Sequence, residues 1–286
     1  MSVNPSDPLA SEFDPEAIAH YFDQYGLREW NRLVETPVDE VNLYLHTHYL
    51  EQNIQPGMRV LEIGAGAGRF TQILARLGAR LLVADISQGQ LDLNRRFARE
   101  LGFESAVEGW QQIDICDLSR FTDASFDCVV AYGGVFSYVL DRRDTALSEC
   151  LRVLKPGGLL LASVATLWGA AHSNLNGVIS LPPEVNQKIT STGDLTLATY
   201  PGRKNHFMHL FRAGEYRLWL QKAGVEILAL SASGCLSTGW TELLKTYRQD
   251  EARWQELLRM EQEACAEEES LNLGTHLICV ARKLPV

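Results

Sequence analysis

Three alternating glycines, Gly64, Gly66 and Gly68, interrupt an apolar run in "LEIGAGAGRF" (61–70), and one acid, Glu62, stands just before them. Glycines at a strand-to-helix turn leave bare backbone that a nucleotide-like ligand can approach. Single carboxylates follow at Asp85 in "VADIS" and Asp114 in "QIDICDL", each able to accept two ligand hydrogen bonds. Later, "KNHFMHLF" (204–211) puts His206 and His209 one helical turn apart or on opposite faces of a strand. An imidazole titrates near neutrality, so either is a candidate general base, and His172 has a similar claim. Tyr132 and Tyr138 in "AYGGVFSY" can shape a pocket or move a proton.

These residues need elements to bring them together. Residues 14–54 read as helices, with Ile18, Tyr21 and Phe22 on one face and Val38, Val41, Leu45 and Tyr49 on another. From "QPGMR" (55–59) onward, strands alternate with helices. "RVLEIG", "ARLLVAD" (79–85), "VEGWQQID" (107–114), "FDCVVAYGG" (126–134) and "LLLASVA" (159–165) are apolar enough to be strands. Phe70, Ile73, Leu74 and Leu77 give the helix after the glycines its apolar stripe, and Gly78 ends it. Ser87 and Gln90 predict a capping box for the next helix. A helix at 214–224, a sixth strand (225–232), a helix of some 25 residues within 240–269 and a last strand (275–282) complete the chain. Alternation of this kind predicts a doubly wound, mostly parallel α/β sheet of seven strands, with insertions after strands 5 and 6. Ligands of such sheets sit beyond the carboxyl ends of the strands. The glycine turn, Asp85, Asp114 and "AYGG" all lie there.

The glycines do not fit a phosphate loop, because Arg69-Phe70 stands where a Lys-Ser/Thr pair is required. They fit the dinucleotide fingerprint poorly, because Arg69 occupies a position that needs glycine or alanine. Taken together, "VLEIGAGAGRFT", "VADIS", "QIDICDL", "FDCVVAYGG" and "LRVLKPGGLLLAS" resemble the successive motifs of class I S-adenosylmethionine-dependent methyltransferases over residues 56–165. The resemblance implies S-adenosyl-L-methionine as cofactor and S-adenosyl-L-homocysteine as product. It implies that Glu62, Gly64, Ala65, Gly66, Gly68 and Arg69 form the cofactor turn. Asp85 would hold the ribose hydroxyls, beside Ile86 and Gln90. Asp114, with Asp117 as the competing acid, would meet the adenine amino group, and the Ile115 amide a ring nitrogen. Ala131, Tyr132 and Gly133 would lie under the methionine end. It further implies an N-terminal helical lid, with Tyr21, Tyr25, Arg28 and Trp30 as candidate contacts, and places Phe136 and His172 in the acceptor pocket.

No Asn/Asp-Pro-Pro-Tyr/Phe or Pro-Cys follows the fourth strand, which argues against nucleobase methylation; the net charge of -10 argues against a nucleic-acid partner. A small-molecule acceptor, methylated at oxygen, nitrogen or carbon, is the leading expectation. Protein side-chain methylation and a non-catalytic adenosylmethionine-binding scaffold or sensor are the rivals. Residues 1–54 are expected to form a tail and lid, and 55–286 the cofactor-binding domain, with 166–213 as an irregular acceptor-site insertion. The segment at 240–269 is expected either to cover the acceptor pocket or to form a homodimer contact. Six scattered cysteines without a CxxC pair suggest reduced thiols and no metal site. With no apolar leader or membrane-length run, a cytoplasmic protein without membrane association is expected.

Overall fold

The computed structural model describes residues 13–203 and 206–285, so the expected frayed tail (1–12) lies outside the described residues. Helix α1 (Pro15–Tyr25) is capped by Asp14, whose side chain accepts from the Ala17 amide. Helix α2 (Arg28–Asn31) is a single turn, and α3 (Pro37–Asn53) opens on a reciprocal capping box between Thr36 and Asp39. Strands and helices then alternate: β1 (Arg59–Ile63), α4 (Arg69–Arg76), β2 (Arg80–Asp85), α5 (Gln88–Glu100) and β3 (Val107–Gln112). They continue as β4 (Phe126–Ala131), α6 (Val135–Tyr138), α7 (Arg143–Val153) and β5 (Leu154–Ala165).

The insertion after β5 begins with helices over 167–192, where the sequence showed no clear periodicity, and is irregular beyond them. It holds α8 (Leu167–Ser173), α9 (Leu175–Ile179) and α10 (Pro183–Thr192), then two short antiparallel strands, β6 (Asp194–Leu195) and β7 (Met208–His209). Two of these helices are no more than two turns long, too short to print a readable 3.6-residue period. The chain ends with α11 (Ala213–Lys222), β8 (Val225–Ser233), α12 (Thr241–Tyr247), α13 (Glu251–Ala266) and β9 (His276–Lys283). The single long helix expected near 240–269 is broken, because Asp250 turns back to cap α13 at the Arg253 amide.

The seven-stranded sheet runs β3-β2-β1-β4-β5-β9-β8, and only β9 is antiparallel to its neighbours. Strand order reverses between β1 and β4, which creates a crevice at their carboxyl ends. Strands β1, β2 and β4 are buried on both faces. Leu61 and Ile63 point into one core with Phe126 and Phe136, while Val60 joins Leu45, Leu74 and Val130 in the other. Each fully buried aliphatic side chain contributes roughly 1.5–3 kcal/mol, so two-sided burial holds the strand ends, and the site on them, in place. Strand β5 begins at Leu154, earlier than the expected 159. Its partners on β4 jump from Phe126↔Leu154 to Cys128↔Leu159, leaving Pro156, which has no N–H to give, in a bulge. Among the described residues, no helix is long and apolar enough to cross a membrane.

Candidate active site

At the crevice, β1 runs into the glycine turn. Gly64, Gly66 and Gly68 all have positive φ, at 70°, 53° and 100°. A side chain at Gly64 would drive into Val135, and a Cβ at Gly66 would lie 2.9 Å from Glu29 Cγ. The turn is pinned from β2: the Gly66 and Ser87 amides donate to the two oxygens of Asp85, each at 2.8 Å. Ser87, not Asp85, caps α5, accepting from the Gln90 amide, so Asp85 keeps lone pairs for a ligand. Burial raises the Asp85 carboxyl to about 6, opposed by the Ser87 and Gly66 amides. Asp114 accepts from the Cys116 amide at 2.8 Å through one oxygen.

Asp85, Ile86, Asp114, Ile115, Gly64, Gly66, Tyr132 and Gly133 line one end of a cavity of about 330 Å³. Helices α1 and α2 close over it, presenting Tyr21, Phe22, Tyr25, Glu29 and Arg32. Val135 packs against Gly64, and Tyr138, Ala165, Ala170, Ser173, His206, Met208, Leu210, Thr275 and His276 continue the lining. Bare backbone and two carboxylates fit an adenosyl ligand: the acids can accept from hydroxyl and amino donors, and Gly66 and Gly133 let the Glu29 and Arg32 side chains come close to the backbone where a Cβ would push them off.

Several expected cofactor residues do other work. Arg69 donates to the Trp30 carbonyl at 2.6 Å and lies 3.8 Å above the Trp30 ring, which stacks on Phe97. Arg69 and Trp30 thus clamp the lid from outside the cavity. Gln90 does not complete a capping box; its amide donates to the Phe22 and Gly26 carbonyls and ties α1 to α5. Arg28 turns back onto Tyr25 and the Gln24 carbonyl. Gly68 faces Asn94, and Ala131 is buried in the sheet. Glu62 and Ala65 do not line the cavity. Burial raises Glu62 to about 8, a hydrogen bond with Thr71 opposing.

The acceptor-side candidates separate cleanly. The Tyr138 hydroxyl meets His206 Nε2 at 3.0 Å, while His206 Nδ1 is buried without a partner. Burial, with Arg203 and Arg32 adding to it, lowers His206 to about 4, so the ring is neutral. His209 lies on the opposite side of β7, between Asp194 Oδ1 at 2.6 Å and Glu215 Oε1 at 2.7 Å. Burial pushes its pKa down, but the two carboxylates outweigh that and raise it. An imidazolium locked between two acids is a structural tie, not a base for the cavity. Phe136 is fully buried against Trp219, and His172 is exposed on an outer groove; neither is in the pocket. Residues 240–269 do not line the cavity either, which removes one of the two roles expected of them.

The sequence reading missed the pair Glu29–Arg32, joined by contacts of 2.7 and 2.8 Å at the cavity wall, with the Arg32 guanidinium near Gly133. Their i, i+3 spacing was the available signal. His276 was missed too, because it opens an apolar strand. Antiparallel β9 begins where β5 ends, so its first residue pairs with Ala165 at the rim. Burial, then His46 and Arg32, lower His276 to about 3. His46 is buried against Tyr132 and Phe70, a packing residue.

A family model described as a methyltransferase domain matches residues 61–162. A ubiquinone biosynthesis O-methyltransferase of Nitrosococcus oceani is 28% identical over 220 residues, covering 76% of this chain and 84% of the relative. A demethylmenaquinone methyltransferase of Clavibacter sepedonicus is 40% identical over 105 residues, which are 37% of this chain and 40% of the relative. A solved structure of Haemonchus contortus phosphoethanolamine N-methyltransferase 1, bound to phosphoethanolamine and S-adenosylhomocysteine, superposes with a TM-score of 0.60 at 16% identity. It covers 97% of this chain and 50% of that one.

Proposed function

We propose that this chain is a class I S-adenosylmethionine-dependent methyltransferase that transfers a methyl group to the oxygen of an apolar small molecule carrying an acidic hydroxyl, such as a phenol or enol. Of the N-terminal segment, residues 13–54 include the lid, while the chain from 55 onward carries the cofactor site, with residues from 166–213 walling the acceptor. The observation that carries the reading is the neutral Tyr138–His206 pair, set in the cavity wall beside the apolar Ala165, Ala170, Met208 and Leu210. Among the described residues, the carboxylates that line the cavity are Glu29, Asp85 and Asp114, and all three are assigned to the cofactor, which leaves none for an ammonium acceptor. Arg32 and Arg203 lie close enough to depress His206, and the same field favours a developing oxyanion. A relative named as a ubiquinone biosynthesis O-methyltransferase supports oxygen as the acceptor atom, and one named as a demethylmenaquinone methyltransferase supports a quinone-like acceptor without specifying the atom.

When bound, adenosylmethionine supplies an electrophilic methyl group on a positively charged sulfur. Gly64, Gly66 and Gly133 would accommodate its methionine portion; Asp85 would accept from the ribose hydroxyls and Asp114 from the adenine amine. Arg32 would pair with the methionine carboxylate and Glu29 with its ammonium, each trading its present partner for one on the ligand. With Nε2–H turned to Tyr138, His206 keeps Nδ1 to accept a proton; Nδ1 is covered in this structure, so a bound acceptor would have to uncover it. The acceptor hydroxyl proton would then pass to Nδ1 as its oxygen takes the methyl group and the methyl–sulfur bond breaks, releasing adenosylhomocysteine. Most of the acceleration is alignment, enforced by the apolar walls and by the lid that excludes water.

The test is adenosylhomocysteine formation with matched ring compounds bearing a hydroxyl, an amine or a carboxylic acid. The hydroxyl compound should turn over fastest. Preference for the amine would overturn the assignment, and cofactor binding without turnover of any member would favour the scaffold reading.

A further inference from the structure

Away from the cavity, three donors converge behind β8. Cys235 follows the strand, while Glu261 and Cys265 lie one turn apart on α13. All three are buried, and their ligand atoms lie within 4.8 Å of one another. The two sulfurs are 3.2 Å apart, and Cys265 Sγ lies 3.4 Å from Glu261 Oε1. Glu261 is completely buried, yet among the described residues no Lys, Arg or His pairs with it; its oxygens accept only from the Leu236 and Ser237 amides and the Cys265 thiol. A buried carboxylate without a counter-ion is costly. The adjacent Ser237 hydroxyl is also buried and has no hydrogen-bond partner.

We propose that Cys235, Glu261 and Cys265 bind a divalent transition metal, zinc by ligand chemistry, that fastens the α12–α13 insertion to the β8 turn. Two thiolates and a carboxylate are borderline-soft donors of the kind zinc selects, and the Ser237 hydroxyl or a water completes four ligands. Sulfurs each ~2.3 Å from a tetrahedral zinc sit about 3.8 Å apart, so these thiols separate by only about half an ångström. On binding, each thiol releases its proton to water as sulfur bonds the ion; nothing is oxidised or reduced. The ion supplies the charge that Glu261 lacks. Helix α13 packs on α3 as well as β8, and the Ser233 hydroxyl donates to Asn42 of α3. The metal therefore braces the helix that follows the lid. Scattered cysteines hid this site, since its two thiols are 30 residues apart.

The experiment uses the full reduced chain, stripped with a chelator and titrated with cobalt(II), then zinc. Cobalt should give a thiolate charge-transfer band and tetrahedral visible bands that zinc abolishes, and elemental analysis should find one zinc per chain. Cys235→Ser and Cys265→Ser should each lose the band, and Glu261→Gln should bind more weakly. Wild-type protein with all six thiols titratable and no cobalt–thiolate band would overturn the proposal, as would a Cys235–Cys265 disulfide in an unreduced peptide map. Should the serine variants fail to fold, the wild-type spectrum decides by itself.

Discussion

Replacing Arg32 by methionine separates recognition of the cofactor's amino-acid end from recognition of its nucleoside. The guanidinium is part-buried, bonded to Glu29 at 2.7 and 2.8 Å, and close to Gly133 at the bare end of the cavity. If it takes the methionine carboxylate, the lost interaction is a charge-assisted hydrogen bond worth about 1.5–3 kcal/mol. At about 1.4 kcal/mol per decade, S-adenosylhomocysteine should bind roughly 10- to 150-fold more weakly. Methylthioadenosine has the same nucleoside but no carboxylate, so its affinity should change less than about threefold, within the scatter of a lost surface contact. Isothermal calorimetry with both ligands on wild type and Arg32→Met reads the difference directly. Equal losses for the two ligands would refute the reasoning and reduce Arg32 to a lid-packing residue.

Three further outcomes are expected. Asp85→Asn should weaken both adenosyl ligands by about 1–3 kcal/mol. In wild type, affinity should fall as pH drops through about 6, where the Asp85 carboxyl protonates, and the variant should lack that step in a calorimetric pH series. His206→Ala should lower kcat by about 10²–10⁴-fold with little change in cofactor affinity; with its pKa near 4, wild-type His206 should not itself produce an activity step near pH 6.5. Parallel losses of turnover and affinity would deny it the role of base. His209→Asn should act on stability. Its folded pKa is raised, so its contribution is complete below the unfolded value of about 6.5 and is lost as pH rises through the folded value. The Tm gap between wild type and variant should therefore be widest in mild acid and narrow in mild base; a gap independent of pH would contradict the ionic tie.

That the glycine turn and the two strand-end acids meet at one cavity was legible because their signals are local. Glycine spacing reports a backbone that must stay bare, and an acid at a strand end reports the rim of a parallel sheet; Gly66, Asp85 and Asp114 needed no tertiary information. The lid was legible as a presence but not in detail. Trp30 and Arg69 looked like ligand contacts because an aromatic and a cation suit either purpose. Only the fold shows them stacked on each other outside the cavity. The inner pair, Glu29 and Arg32, is carried by one turn of helix, too short for a periodic signal. Met208 and Leu210 line the cavity, whereas His209 and Phe211 turn away, as alternation along an extended chain requires; His206 precedes β7 with a φ of 63° and reaches the cavity from a turn. The sequence allowed that arrangement without selecting it, since β7 is only two residues long. His276 was invisible because its role comes from sheet order, which joins the last strand to β5.

The most direct test of the account is a crystal structure with S-adenosylhomocysteine bound. The account predicts Asp85 on both ribose hydroxyls, Arg32 on the amino-acid carboxylate, and the sulfur facing the space beside Tyr138 and His206. A ligand whose sulfur faces away from that pair, or whose carboxylate lies clear of Arg32, would contradict it.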